Sequence, residues 1–277
     1  MIRSSVKFVI LGLAAALAAG CDVRAETPRA EGSFEQTIDV SGSADVEVFS
    51  RSGNIRVQAG RSDSIHVSAR MSAYGSDIWL NGYNAQEQIG RLQAHPPVEQ
   101  TSAGVRIGFV DDDALLSNVT INYDITVPPN TRVRATSRSG NQTIDEISGP
   151  VDSTSRSGDI RIGRVSGDVD ATTRSGRIAV TGHSHGVHAS SRSGNIDLDG
   201  QPSRTWVVGT RSGDVDISLA PDGGAELDAQ TRSGHIDADH RSVEVVETHR
   251  NKHATGVVGN GGGRVEVTTT SGSIRVR

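Results

Sequence analysis

One phrase is written eight times in this chain of 277 residues, and it constrains the fold more than any single residue can. The phrase is Val/Leu-x-Ala/Val-x-x-Arg-Ser-Gly-x-Ile-x-Val. Its Ser-Gly pairs begin at Ser52, Ser139, Ser157, Ser175, Ser193, Ser212, Ser233 and Ser271, and arginine precedes each pair but the last, where Thr270 stands. From Arg138 the arginines recur at 156, 174, 192, 211 and 232. A period of about 18 residues marks a stack of like supersecondary units, each burying its apolar face against the next.

In the cleanest copy, apolar residues fall at Val169 and Ala171, then at Ile178 and Val180. Period-two alternation on both sides of a turn predicts two short half-buried strands per coil. Gly176 supplies a position that tolerates positive φ, and Ser175 can hydrogen-bond back to the turn. Aligned on the arginines, one inward column reads Val46, Val133, Val151, Val169, Val187, Trp206 and Leu227, ending with Val265. A second reads Ile55, Gln142, Ile160, Ile178, Ile196, Val215 and Ile236, ending with Ile274. The expected fold is all-β: a parallel β-solenoid with coils of about 18 residues, regular from about Val133 to the C-terminus. A thin spine of this kind accounts for aromatic residues being 3% of the chain. Gln142 is the polar misfit, expected near the first coil, where burial is least.

Stacking places Arg138, Arg156, Arg174, Arg192, Arg211 and Arg232 in a ladder, which allows two readings. A solvated face is one, with Asp145, Asp159, Asp168, Asp170, Asp197, Asp214 and Asp216 close enough to neutralise it. An anion-binding stripe is the other.

The N-terminus reads as a targeting segment: Arg3 and Lys7, an apolar stretch from Phe8 to Ala19 that is short for a bilayer span, then Gly20-Cys21. This resembles a bacterial lipoprotein signal, with residues 1–20 removed, Cys21 lipidated and 21–34 forming a polar tether. Cys21 is the single cysteine, and lipidation accounts for it. The expected location is the cell envelope, anchored by lipid to the inner or outer membrane and facing the periplasm. A net charge of −5 argues against a nucleic-acid partner.

The repeat is interrupted over 71–118, where Asp77 to Gln93 is the candidate helix, ended by Pro96 and Pro97. Together with the strands around it this predicts an irregular N-terminal β region with one short helix, capping the stack. A second break, 247–263, ends in a glycine run and predicts a mobile loop, with Val243–Val246 supplying one poorly written coil. The segment from Asn122 to Pro128, then Thr131 to Ala135, followed by repeated Ser-Gly-Asp/Asn-Ile/Val, resembles the bacterial putative-adhesin family of unknown function (domain four-zero-nine-seven) over residues 35–277. That resemblance implies an envelope β-solenoid and brings no catalytic residues.

Chemistry is sparsely signalled. His183, His185 and His188 cluster, and His249 and His253 share a loop, yet no cysteine or nearby carboxylate completes a ligand set. Solvated turn histidines and no metal are expected. Asp111 to Asp113 reads as a turn. After each Ser-Gly stand Asn, Asn, Asp, Arg, Asn, Asp, His and Ser, which is not a calcium ladder. Tyr74, Trp79 and Tyr83 either line a sugar or peptide groove or cover the end of the stack. No nucleophile constellation appears, and no cofactor is expected. The sequence thus points to a lipid-anchored envelope solenoid acting by binding, as scaffold, adhesin or envelope-stress accessory. Its partners would be the membrane through the anchor and envelope polysaccharide, lipid or protein. The rivals are a polysaccharide-active β-helix enzyme and a sensor that reads anionic envelope polymer through the arginine ladder.

Overall fold

Along Val169–Ser175 the buried residues are Val169, Ala171 and Thr173, and along Ile178–His183 they are Ile178, Val180 and His183. This alternation is what a strand with one face on a core requires. The computed structural model describes residues 28–40, 44–61, 63–74, 83–102, 104–220, 223–238, 243–247 and 251–277. Strands that precede an Arg-Ser-Gly turn join a 12-stranded sheet, and strands that follow it join an 11-stranded sheet, among the described residues. The inner faces of both contribute to one apolar core.

Neighbouring rungs are parallel and in register. Val133 lies opposite Val151, Val151 opposite Val169, Val169 opposite Val187, and Val187 opposite Trp206. In the other sheet Gln142, Ile160, Ile178, Ile196 and Val215 make the matching column. The fold is all-β with long parallel sheets, and both inward columns read from the sequence are buried except at half-buried Ile236.

The turn column is explained by close backbone packing. Gly140 has φ 127, and a Cβ added there would collide with the carbonyl oxygen of Gly53 in the adjacent rung. The same clash recurs along the column, as at Gly176 against Gly158. Only glycine satisfies both conditions. Ser175, expected to hydrogen-bond back to the turn, is instead exposed. The hydroxyls that serve the turns stand one residue before the arginine and are buried, although Ser191, in the same column, makes no hydrogen bond. Thr173 Oγ1 donates to Gly158 O, Thr210 Oγ1 to Gly194 O and Thr231 Oγ1 to Gly272 O. They supply buried carbonyls with partners that would be costly to omit.

The residue after Ser-Gly stitches rung to rung through its side chain. Asn54 Oδ1 accepts from Asn141 N, Asn141 Oδ1 from Asp159 N, Asp159 Oδ1 from Arg177 N, and Asn195 Oδ1 from Asp214 N. An amide or a carboxylate does this equally well, so Asn and Asp share five of the column's positions with Arg177, His235 and Ser273 at the others.

Gln142 corrects the sequence reading. It is fully buried, and its rung lies between those of Ile55 and Ile160 rather than where burial is least. Its Nε2 donates to Ser137 Oγ at 2.8 Å and Thr154 O at 2.7 Å, while Oε1 accepts from Ser153 Oγ at 2.7 Å. A buried amide with its bonds made is tolerated.

The ends differ from expectation in several ways. A strand begins at Ala30, inside the span assigned to the tether, because Phe34 and Ile38 bury on one face as it pairs antiparallel with Ser64–Ala73. Ser64–Ala73 in turn pairs antiparallel with Val119–Val127, closing that end of the stack. The helix is Ala85–Ala94 and not Asp77 to Gln93: Asn84 caps it by accepting from Glu87 N. Its Ile89 and Leu92 are buried, and it contacts Ala30–Asp39 and Ser64–Ala73; positions 77–82 lie outside the described residues.

At the other end, the span read as a mobile loop holds the strand Lys252–Gly259, paired antiparallel with Gly224–Ser233. Val243–Glu247 is not a parallel coil either; it pairs antiparallel with Lys252–Gly259. The last written coil, Gly263–Ser271 and Ile274–Val276, does not sit at the end. It lies between Trp206–Leu219 and Gly224–Ala238, pairing parallel with both.

Candidate functional site

Because side chains alternate, each strand of the 12-stranded sheet sends outward the residues at even distances before its turn arginine. This writes three columns across the outer face. Along the turn edge run Arg138, Arg156, Arg174, Arg192 and Arg211, all exposed. Next inward run Thr136, Thr154, Thr172, Ser190 and Gly209. Beyond these run Arg134, Asp152, Asp170, His188 and Val207. The first two columns line a groove of about 550 Å³. Phe49 also lines it, its ring 5.8 Å from that of Phe109.

The carboxylates thought to neutralise this edge are engaged elsewhere. Asp159 pairs with Arg161, Asp145 with Arg164, Asp197 with Arg177, Asp168 with Arg204, Asp170 with His188 and Asp216 with Arg275. Asp214 accepts from Ser273 N. Among the described residues no carboxylate is within ion-pair distance of Arg138, Arg156, Arg174, Arg192 or Arg211. Rungs of a parallel sheet are about 4.8 Å apart, so five like charges run over about 19 Å.

The C-terminal insertion reshapes the ladder. Because the Thr270 rung intervenes, Arg232 is not next to Arg211. Arg232 lines a separate depression with Lys252 and His253. Arg51 precedes Arg138 in space but is tied to Asp113 through its carboxylate at 3.3 Å and its carbonyl at 3.0 Å. The open run is therefore the five arginines from 138 to 211.

The other candidates resolve differently. His183 is not a solvated turn residue: it is 1% exposed, with Nδ1 2.9 Å from Val165 O and Nε2 3.2 Å from Gly186 O. Burial holds its pKa below the ordinary imidazole value. His188 pairs with Asp170 and His253 with Asp228; His249 lies outside the described residues. No group of three or more His, Cys, Asp and Glu is arranged to hold a metal ion among the described residues. Tyr83 donates to Asp112 at 2.7 Å and Arg91 lies over its ring, while Trp79 is outside the described residues. Trp206 is buried and donates from Nε1 to His185 O. Asp111 to Asp113 forms no strand and carries the Tyr83 and Arg51 contacts. Cys21 lies outside the described residues.

The His183 environment predicts a pH effect. With the folded pKa depressed, the unfolded chain binds the proton first as pH falls below about 6.5. Stability is thus complete above that range and is lost through the lower folded value. Thermal melts should show the parent declining more steeply between pH 7.5 and pH 5 than His183→Phe does; parallel declines would remove His183 as the cause.

The hydroxyl column was not singled out from the sequence, although Thr136, Thr154, Thr172 and Ser190 recur two residues before each arginine and were legible there. A family model described as Toastrack DUF4097 matches residues 41–277. A solved structure, a "putative cell adhesion protein" from Clostridium sporogenes, is similar at 10% identity and a TM-score of 0.36, over 89% of this chain and 99% of that one. No curated protein matches the chain.

Proposed function

The chain belongs to the Toastrack DUF4097 family, and from that premise we propose that it is an envelope binding protein. Its repeating coil of about 18 residues serves to present one ligand-reading face, and its ligand is anionic. The observation that carries this is the run of five exposed arginines whose neighbouring carboxylates are committed to other partners. An exposed ion pair contributes about 0–1 kcal/mol, so neutralising the edge internally would bring little stability. Leaving it open keeps the guanidinium forks free for bidentate contacts to carboxylate or phosphate. The position beside a shallow groove, rather than within a closed cavity, suits an extended ligand and binding without catalysis.

Binding through several such contacts should be strong at low salt and fall steeply as ionic strength rises, since the screening length shrinks from about 30 Å at 0.01 M to about 8 Å at physiological salt. The test is the mature protein against an anionic polysaccharide at low and high salt, beside Arg156→Gln/Arg174→Gln/Arg192→Gln. The variant should lose at least roughly tenfold in affinity, the loss expected from removing even one charge-assisted contact of about 1.5 kcal/mol. Equal binding by parent and variant would remove the groove from function.

The same reading places the body at a membrane. Cys21, preceded by a short apolar stretch, is the proposed lipidation site, and acyl chains supply the anchoring energy. Cys21→Ser is expected to shift the protein from the membrane fraction to the soluble fraction; a soluble parent would refute the anchor.

A further inference from the structure

The face that carries the arginines is polarised, and the polarity narrows the ligand. We propose that the groove binds a linear anionic polysaccharide of the uronate type, in which carboxylates are interspersed with hydroxyls, lying across the strands. This rests on the groove being the binding face, and it adds which polyanion the groove prefers.

Two residues of a strand span about 6.6 Å, so a chain seated over the hydroxyl column has the arginines about 6.6 Å to one side and the third column equally far on the other. The third column presents Asp152 and Asp170, each more than half exposed. Asp152 lies 3.7 Å from Arg134, and Asp170 lies 3.2 Å from His188. The third column holds two carboxylates against one arginine, so the repulsion of Asp152 and Asp170 is offset only in part by Arg134 and His188. A polymer charged at every unit on all sides, such as polyphosphate, meets that residual repulsion more fully than a polyuronate, whose carboxylates are interspersed with neutral hydroxyls.

The middle column points the same way. Thr154, Thr172 and Ser190 are hydroxyls, which both donate and accept. Sugar hydroxyls do the same and can pair in either sense, while a phosphate or carboxylate oxygen only accepts. Stacking platforms for nucleobases are missing from the groove: Phe49 is the one aromatic lining residue, and it packs on Phe109. The repeat then has a chemical meaning. From Arg138 to Arg192 each rung offers one guanidinium and one hydroxyl, repeated about every 4.8 Å, while the Arg211 rung carries Gly209 in the hydroxyl column.

The experiment measures binding of the full mature protein to polygalacturonate, to polyphosphate of matched charge, and to neutral dextran at one low ionic strength. Three variants accompany it: Thr154→Val/Thr172→Val/Ser190→Ala, Asp152→Asn/Asp170→Asn, and Arg156→Gln/Arg174→Gln/Arg192→Gln. Each is first required to give the parent's far-UV circular dichroism and melting curve; where one does not, the comparison of polygalacturonate with polyphosphate on the parent alone decides. The parent should bind polygalacturonate at least roughly tenfold more tightly than polyphosphate, and dextran weakest of all. The hydroxyl variant should lose polygalacturonate affinity while its polyphosphate affinity is unchanged, and the Asp variant should gain polyphosphate affinity. Polyphosphate bound as tightly as polygalacturonate by the parent would overturn the inference and leave the anion-binding reading standing. Failure of the parent to bind either polyanion would overturn both.

Discussion

Deleting residues 263–277 is expected to cost far more than removing one end coil of a stack. The segment is internal in space: Val265 and Val267 lie between Trp206 and Val208 on one side and Leu227 and Ala229 on the other. Ile274 and Val276 lie likewise between Val215 and Ile217 and the Ile236 rung. All four of the segment's own side chains are 0–1% exposed. At about 1.5–3 kcal/mol each, their burial amounts to about 6–12 kcal/mol, which is the size of a whole domain's stability. The deletion also opens two sheet edges that face one another. We expect the truncated protein to lose its cooperative melt and to be cleaved by protease beyond Leu219. A truncated chain that melts like the parent would mean that Gly224–Ala238 docks directly on Trp206–Leu219.

The second large effect is expected at Ile178. It is 0% exposed and stacks between Ile160 and Ile196. Ile178→Asp removes about 1.5–3 kcal/mol of burial and places a carboxylate where no cation can reach it, a further cost of several kcal/mol. Because each coil rests on its neighbours, the damage should spread along the stack. A loss near 5 kcal/mol would lower the melting temperature by about 10–20 °C for a chain of this size. Ala179→Asp is the control: the adjacent side chain points outward, opposite Arg161, and should change the melt by only a degree or two. Equal melts for the two variants would show that the alternation has been misassigned.

These two residues illustrate what could be read from the sequence. Strand alternation and the Arg-Ser-Gly turn are local and repeated, so each copy corrects the others, and the inward columns follow directly. Gln142 was recognised as polar but misplaced, because its partners Ser137, Ser153 and Thr154 come from two rungs and only the three-dimensional pairing brings them to it. The order of the last coils was not legible for the same kind of reason. Every coil carries the same phrase, so sequence cannot tell which two neighbours a given coil will choose. The arginine edge was visible, but aspartates near in sequence are not its partners in space: Asp145, Asp197 and Asp216 stand on strands of the other sheet, Asp159 and Asp214 sit in turns, and Asp170, on the arginine sheet, pairs with His188.

The inserted coil also sets an order in time. Ile236–Ala238 pairs with Ile274–Val276, and Gly224–Ser233 rests on strands that all begin after residue 251. A chain growing from its N-terminus can therefore add rungs one by one only as far as Leu219. Gly224–Ser233 can fold back on Lys252–Gly259 as soon as both are made, but that pair cannot join the stack until Gly263–Ser271 and Ile274–Val276 supply the rung between. Until then the stack and the waiting pair each display a raw sheet edge to any protease present.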